Sequence, residues 1–299
     1  MQDCRNVLQS GVAKSERVRD SLPPMESNVR RWAVSGRVLL FLISCAVLLA
    51  STAPLERRFP GLPPGLFTGA ITSLGSLVLT VLFVRWEKLR LEDVGAAVSR
   101  KSPLRFVVGF LVGLILVALH VSVEAIVGHI RWVRSEGVDS LAIAASLIVY
   151  VLLACREELA FHGYPLRRLN SLFGLWASQL TIALVFAAEH VAGGMTWGQA
   201  LLGAGVGSLL FGMASIATEG LAVPIGLHAA WNFGDWMHGG KNSGGVWHPV
   251  GMDAHPDLAN RAATIGYVAV MLSATLAFWW LHGRIQKRRW PYTMLTSPV

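Results

Sequence analysis

Ionisable side chains stand inside apolar segments at three places in the sequence. The first place holds the adjacent carboxylates Glu157 and Glu158, with His162 four residues after the second. Residues four apart share a helix face, so we expect Glu158 and His162 to lie side by side. Ionisable groups inside membrane segments are energetically costly, and their presence there indicates a functional site.

The other two places each combine a histidine with a second residue four positions away. One pairs Phe186 with His190, and the other pairs His228 with Asn232. The His228 and Asn232 side chains can both donate hydrogen bonds toward one point beside their shared helix face. Two donors that converge in this way are suited to holding a negatively charged oxygen.

The three places are expected to meet at one depth in the membrane. Glu157 and His190 lie on either side of a turn expected near residues 170–173, and straight helices put them within about 5 Å of the same level. A buried carboxylate can act first as a general base and then as an acid, and a neighbouring histidine can orient the same water. The constellation therefore permits attack of water on an amide bond inside the membrane.

Metal binding is the competing chemistry for the same side chains. Two glutamates and three histidines offer enough ligands for zinc. The HExxH pattern of many zinc proteases is absent, because the order in the first segment is Glu157-Glu158-Leu159-Ala160-Phe161-His162. We predict a site without metal or another cofactor, and zinc stays open as the alternative.

Membrane-spanning helices are the elements that must position these residues. The chain is 53% apolar and 15% charged, whereas soluble domains carry roughly 25% charged residues. Eight apolar runs are long enough, or nearly so, to cross a bilayer, which takes about 20 residues. They lie at residues 38–55, 66–84, 106–127, 140–169, 174–192, 199–217, 220–238 and 264–282. The sequence predicts an all-α, polytopic membrane helix bundle of about eight transmembrane helices.

The basic residues predict how this bundle is oriented. If the helices alternate across the membrane, 19 of the 26 Lys and Arg residues fall on one side. The positive-inside rule makes that side cytoplasmic, which places both termini there and favours the cell membrane. Basic clusters between apolar runs also argue against a nucleic-acid partner. Three cysteines without a spacing pattern argue against a disulfide framework.

Four parts are predicted along the chain. Residues 1–37 form a flexible, basic cytoplasmic tail, which is not a signal peptide because the first apolar run begins only at Val38. Residues 38–139 hold the N-terminal transmembrane helices, and residues 140–240 hold the candidate catalytic helices. Residues 241–299 hold a loop, the last transmembrane helix and a second basic cytoplasmic tail.

Small residues predict where helices touch in this bundle. Gly109 and Gly113 form one GxxxG pattern, and Gly203 and Gly207 form another. Glycines at this spacing let two helix backbones approach closely in lipid.

The three patterns, at residues 157–162, 186–190 and 228–232, each lie on a separate predicted helix. In this order they resemble a known set of motifs. The CAAX-protease and bacteriocin-processing (CPBP, or Abi) family of intramembrane endopeptidases, which includes the type II CAAX prenyl endopeptidases, has the motifs EExxxR, FxxxH and HxxxN. The resemblance covers about residues 140–240. It implies that Glu157 and His190 activate water and that His228 and Asn232 stabilise the oxyanion.

The resemblance also implies roles for the remaining motif residues. Glu158 belongs to the catalytic set and supports the site, with His162 and Phe186 as supporting residues. His162 stands where the family has arginine. An arginine is always charged whereas a histidine can be neutral, so a pairing with Glu158 becomes pH-dependent here.

The resemblance implies that the partners are the lipid bilayer and a membrane-embedded or lipid-modified peptide. Two other functions fit the same residues. One is a non-catalytic membrane adaptor or immunity protein on the same scaffold. The other is an ion-coupled transporter, which also uses glutamate and histidine at mid-membrane depth, although the sequence lacks the internal duplication common in transporters.

Overall fold

The structure is a computed structural model that describes residues 24–241, 244–251 and 256–289. Helices make up most of this part of the chain. They are α1 Pro24–Thr52, α2 Leu66–Trp86, α3 Ser102–Ile126, α4 Ser140–Glu157, α5 Tyr164–Phe173, α6 Leu175–Ala192, α7 Val206–Thr218, α8 Ala222–Met237 and α9 Pro256–Arg289. Shorter helical pieces lie at Ala53–Arg58, Leu91–Val94, Glu158–Gly163, Trp197–Ala200 and Leu201–Gly205.

Seven helical segments of the described residues are long and apolar enough to cross a membrane. They are Arg31–Arg58, Leu66–Trp86, Ser102–Ile126, Ser140–Phe173, Leu175–Ala192, Trp197–Thr218 and Pro256–Lys287. The remaining predicted span corresponds to α8, which has 16 residues and falls short of the length that a bilayer requires. Every predicted apolar run coincides with a helix, and the predicted polytopic all-α bundle is confirmed.

The chain divides into two compact units between Leu40 and Phe41. In the first unit, the described residues form the N-terminal part of α1, which begins at Pro24. The segment predicted as a tail up to residue 37 is therefore helical from Pro24 onward. The prediction of flexibility for residues 1–23 lies outside the described residues.

In the second unit, α3 and α8 touch at their backbones. A Cβ atom at Gly109 would collide with the carbonyl of Val223, and one at Gly226 would collide with the carbonyl of Phe106. A Cβ atom at Gly113 would meet α8 in the same way. The first GxxxG prediction is therefore confirmed, and Gly226 is its counterpart on α8.

The second GxxxG prediction is only half right. A Cβ atom at Gly207 would lie 2.8 Å from the hydroxyl of Tyr267 on α9, so this glycine does allow a close helix contact. A Cβ atom at Gly203 would have nothing within 4 Å. Gly203 instead contributes its carbonyl, which accepts a hydrogen bond of 2.7 Å from Tyr267.

The segment containing α7 is the most enclosed of the candidate spans. About two thirds of its apolar window, 67%, is buried, against 17–39% for the others. It contributes to an apolar cluster formed by Leu116, Val117, Leu210, Phe211, Leu227, Trp231, Met271 and Ala274. The polar residues of α4 and α8 are thus held against a well-packed helix.

A two-stranded ribbon, which the sequence did not predict, lies in the loops of the bundle. Strand β1 Arg131–Arg134 pairs antiparallel with β2 Trp247–Val250. β1 follows α3 and β2 precedes α9, so the ribbon ties together two loops that are distant in the sequence.

Candidate active site

A wide helical turn presents the two glutamates. Helix α4 ends at Glu157, and the π-helical turn Glu158–Gly163 follows before α5 begins. Pro165 lies in the first turn of α5 and has no N–H to give to the carbonyl four residues earlier. A π-helical turn of this kind often marks a functional site.

Glu158 is fully buried, and both of its carboxylate oxygens are occupied. Nδ1 of His228 donates to one oxygen over 2.8 Å, and Nδ1 of His162 donates to the other over 2.9 Å. Nε2 of His162 lies 2.9 Å from the hydroxyl of Ser208 on α7. The predicted contact between Glu158 and His162 is confirmed, and it belongs to a chain of polar contacts across three helices.

Glu157 is the more accessible of the two carboxylates, with 11% of its side chain exposed. One oxygen accepts a hydrogen bond from Arg156, and the other lies 3.3 Å from Nε2 of His228. The buried Arg156 guanidinium also contacts Glu189 on α6, over 2.5 Å. Arg156 therefore supplies a fixed positive charge between two carboxylates.

His190 approaches this group from α6. Its Nδ1 donates to the carbonyl of Phe186 over 2.9 Å, because a carbonyl can only accept, and this leaves Nε2 with the lone pair. The imidazole is half-buried, and the Phe186 ring beside it also lies 6.3 Å from the ring of His228, which contacts Glu157. The structure thus brings His190 to the group that contains Glu157, and the hydrogen bond to Phe186 fixes the orientation of its ring.

Aromatic rings enclose the polar residues. The Phe211 ring stacks on the imidazole of His228, with centroids 4.0 Å apart and planes 12° apart. The Phe186 ring lies 4.6 Å from His190 and 4.9 Å from Phe161. Phe186, predicted as a supporting residue, packs between His190 and the helical turn Glu158–Gly163.

Asn232 lies one helical turn beyond His228 and is half-buried. Its side-chain oxygen accepts a hydrogen bond of 3.3 Å from Lys241, whose ammonium also lies 3.2 Å from Asp235. With the amide oxygen engaged in this way, the amide N–H groups are the part of Asn232 that can act as donors. Lys241 therefore orients Asn232.

Sequence reasoning missed several residues that the structure brings to the site. They are Arg156, Ser208 and Lys241, to which the sequence analysis assigned no role in the site. The interactions of Ser208 and Lys241 cross from one helix or loop to another, and no spacing along the chain signals them.

The prediction that three spans carry ionisable groups was also incomplete. Helix α3 holds His120 and Glu124, four residues apart and both buried. That spacing was visible in the sequence, within the apolar run 106–127.

The model of the family described as Type II CAAX prenyl endopeptidase Rce1-like matches residues 139–234. The match begins just before α4 and ends within α8, so it contains all the predicted site residues. This part of the chain is therefore similar to that family. The family is one of intramembrane proteases, which agrees with the multi-pass helical bundle. None of the curated proteins compared with the chain matches it.

Proposed function

We propose that this chain is an intramembrane endopeptidase in which Glu157 and His190 activate the water that cleaves a peptide bond. The difference between the two adjacent glutamates carries the proposal. Glu158 is fully buried and saturated with hydrogen bonds, whereas Glu157 is partly exposed and has one oxygen directed at His228. Glu157 is therefore the carboxylate that a water molecule can reach.

Each group then has a defined part in the reaction. Glu157 takes one proton from the water, and Nε2 of His190 accepts a hydrogen bond from the other hydrogen, so that the oxygen attacks the carbonyl carbon. The carbon–nitrogen bond breaks as Glu157 returns its proton to the leaving amine. Arg156 keeps Glu157 aligned between these steps through the contact to its second oxygen.

His228 and Asn232 are the proposed donors to the oxyanion. Glu158 accepts a hydrogen bond from Nδ1 of His228 and so orients the ring, and the imidazolium form of His228 carries a second N–H at Nε2. The Nε2–H group and the Asn232 amide can then donate to the tetrahedral intermediate. His162 and Ser208 extend this support to the far side of Glu158.

A zinc-dependent mechanism is the alternative, because the same side chains are potential zinc ligands. Both oxygens of Glu158 are engaged by histidines, and one oxygen of Glu157 is engaged by a guanidinium. A zinc ion bound by Glu158 and His228 would have to break the hydrogen bond between them and compete with the charge of Arg156. This arrangement supports a mechanism carried by glutamate and histidine.

A site built within membrane-spanning helices suits a peptide substrate anchored in the membrane. We propose that the substrate is a membrane-associated or lipid-modified peptide. The basic residues support a protein of the cell membrane with both termini in the cytoplasm.

Cleavage by a Glu157→Gln variant tests the proposal. Glutamine preserves the shape of glutamate but cannot take a proton, so cleavage of a peptide library in detergent should fall by about 10²–10⁴. Glu56→Gln is the matched control, because Glu56 is a hydrogen-bonded, half-buried glutamate near the start of α2. Its activity should stay at the wild-type level.

Each of three results would overturn the proposal in favour of another mechanism or function. Activity that vanished with a chelator and returned with zinc alone, together with loss of bound zinc in Glu157→Gln, would assign the site residues as metal ligands. A Glu157→Gln variant that kept the cellular role would favour the adaptor. Ion flux in proteoliposomes that depended on Glu157, without peptide cleavage, would favour the transporter.

A further inference from the structure

A second group of ionisable residues lies outside the segment that the family model matches. His120 and Glu124 lie on α3, and His238 directly follows α8. One potential ligand atom of each residue lies within 4.8 Å of those of the other two. His120 and Glu124 are 6% and 7% exposed. None of the three takes part in the mechanism proposed above.

Two buried atoms of this group lack partners. Nδ1 of His120 and one carboxylate oxygen of Glu124 make no hydrogen bond to any part of the chain that the structure describes. The other Glu124 oxygen lies 3.8 Å from Nε2 of His120, which is longer than a hydrogen bond. Buried polar atoms are nearly always satisfied, so two unsatisfied atoms within one cluster of potential metal ligands point to a bound ligand.

The surroundings of His120 prepare it to bind a metal. Its Nε2 lies 2.9 Å from the carbonyl of Ala263 on α9 and must carry the hydrogen, because a carbonyl only accepts. The lone pair is then on Nδ1, the atom without a partner. A ligating histidine usually donates its other N–H to a carbonyl or carboxylate in this way.

His238 is the residue of the group that reaches solvent, and Asp235 beside it offers a fourth ligand. The His238 side chain is 13% exposed, and its Nε2 lies 3.6 Å from a carboxylate oxygen of Asp235. Two imidazoles with carboxylates suit zinc, whereas calcium and magnesium prefer oxygen ligands alone. In a tetrahedral zinc site the ligand atoms lie about 3.3 Å apart, so small side-chain movements would complete the site.

We propose that His120, Glu124 and His238 bind a zinc ion that fastens the end of α3 to the end of α8. The backbone carbonyl of His238 already accepts a hydrogen bond of 3.0 Å from Trp132 on β1. The ion would therefore also fix the ribbon beside the loop that carries Lys241. Its role is structural, and it is separate from the site that contains Glu157.

The zinc content of the purified full-length chain tests this proposal. Protein carrying an affinity tag without histidines should contain about one zinc ion per chain by mass spectrometry after dialysis against zinc. His238→Ala and Glu124→Gln should reduce the content to background. His248→Ala is the matched control and should keep the zinc, because His248 is an exposed histidine on the nearby strand β2.

Three further measurements separate this site from the catalytic one and from a failure to fold. Glu157→Gln should keep its zinc, and adding zinc to chelated wild-type protein should raise its melting temperature. The wild-type chain should also bind cobalt with the visible absorption of a four-coordinate site, which requires no variant. Absence of bound zinc and cobalt in the wild type, or zinc retained by His238→Ala, would overturn the proposal.

Discussion

A substitution of His162 is the sharpest test of how the buried hydrogen bonds around Glu158 support the site. His162 is fully buried and connects Glu158 to Ser208. His162→Ala removes both contacts and leaves one oxygen of a buried carboxylate unpaired. Breaking a buried pair by removing one partner typically costs about 3–5 kcal/mol in the free energy of unfolding. We expect a destabilisation of this order, together with a loss of activity because Glu158 no longer holds His228 in place.

His162→Arg should have a different effect, because arginine restores a permanent charge beside Glu158. The space is tight, since a Cβ atom at Gly212 on α7 would lie only 3.0 Å from the His162 ring. Overfilling a packed site typically costs about 1–3 kcal/mol, which is less than the loss expected for alanine. The arginine variant should therefore stay more active than the alanine variant, because its guanidinium can still bind the oxygen of Glu158 that His162 contacts.

Thermal unfolding in detergent and cleavage rates measure these two effects. His248→Arg is the matched control, because it places the same substitution at an exposed histidine. The reasoning would be refuted if the arginine variant were well folded and no more active than the alanine variant. A tenfold or greater loss of activity in that stable variant would show that the histidine has a role that arginine cannot take.

The remaining predictions concern the proposed mechanism and the orientation in the membrane. His190→Ala should reduce cleavage about as much as Glu157→Gln, and the double variant should lose little more, because residues that act as a unit are not additive. Asn232→Ala should reduce kcat by about 10²–10³, the usual loss for one oxyanion donor, and a smaller loss would contradict that role. Reporter fusions at residues 60, 95, 135 and 250 should read outside, inside, outside and outside. An inside signal at residue 250 would contradict the predicted order of spans.

The helices could be predicted from the sequence because a lipid environment permits few backbone structures. A backbone in hydrocarbon must satisfy its own hydrogen bonds, so each long apolar run becomes a helix. The ends of helices are less constrained, because water can satisfy the backbone there. This explains why α1 begins at Pro24, well before its apolar run, and why the ribbon of β1 and β2 was not foreseen.

The candidate site was predictable where its residues share a helix face. Glu158 and His162 are four residues apart on one chain segment, and the structure joins them. The link from Lys241 to Asn232 depends on how a loop folds back over α8, and the sequence contains no local signal for it. His120 and Glu124 do carry such a signal, since they are four residues apart in an apolar run, although their spacing matches none of the three motifs.

The backbone contact between α3 and α8 determines which helices around the site can move when a substrate enters. At Gly109 and Gly226 the two helix backbones meet without side chains between them, so separating the helices there would expose bare peptide groups to lipid. We expect this pair to act as a fixed wall behind His228. Helix α6 instead carries the half-buried His190 and has an outer surface that is largely exposed. A substrate that diffuses in the plane of the membrane would therefore approach past α6.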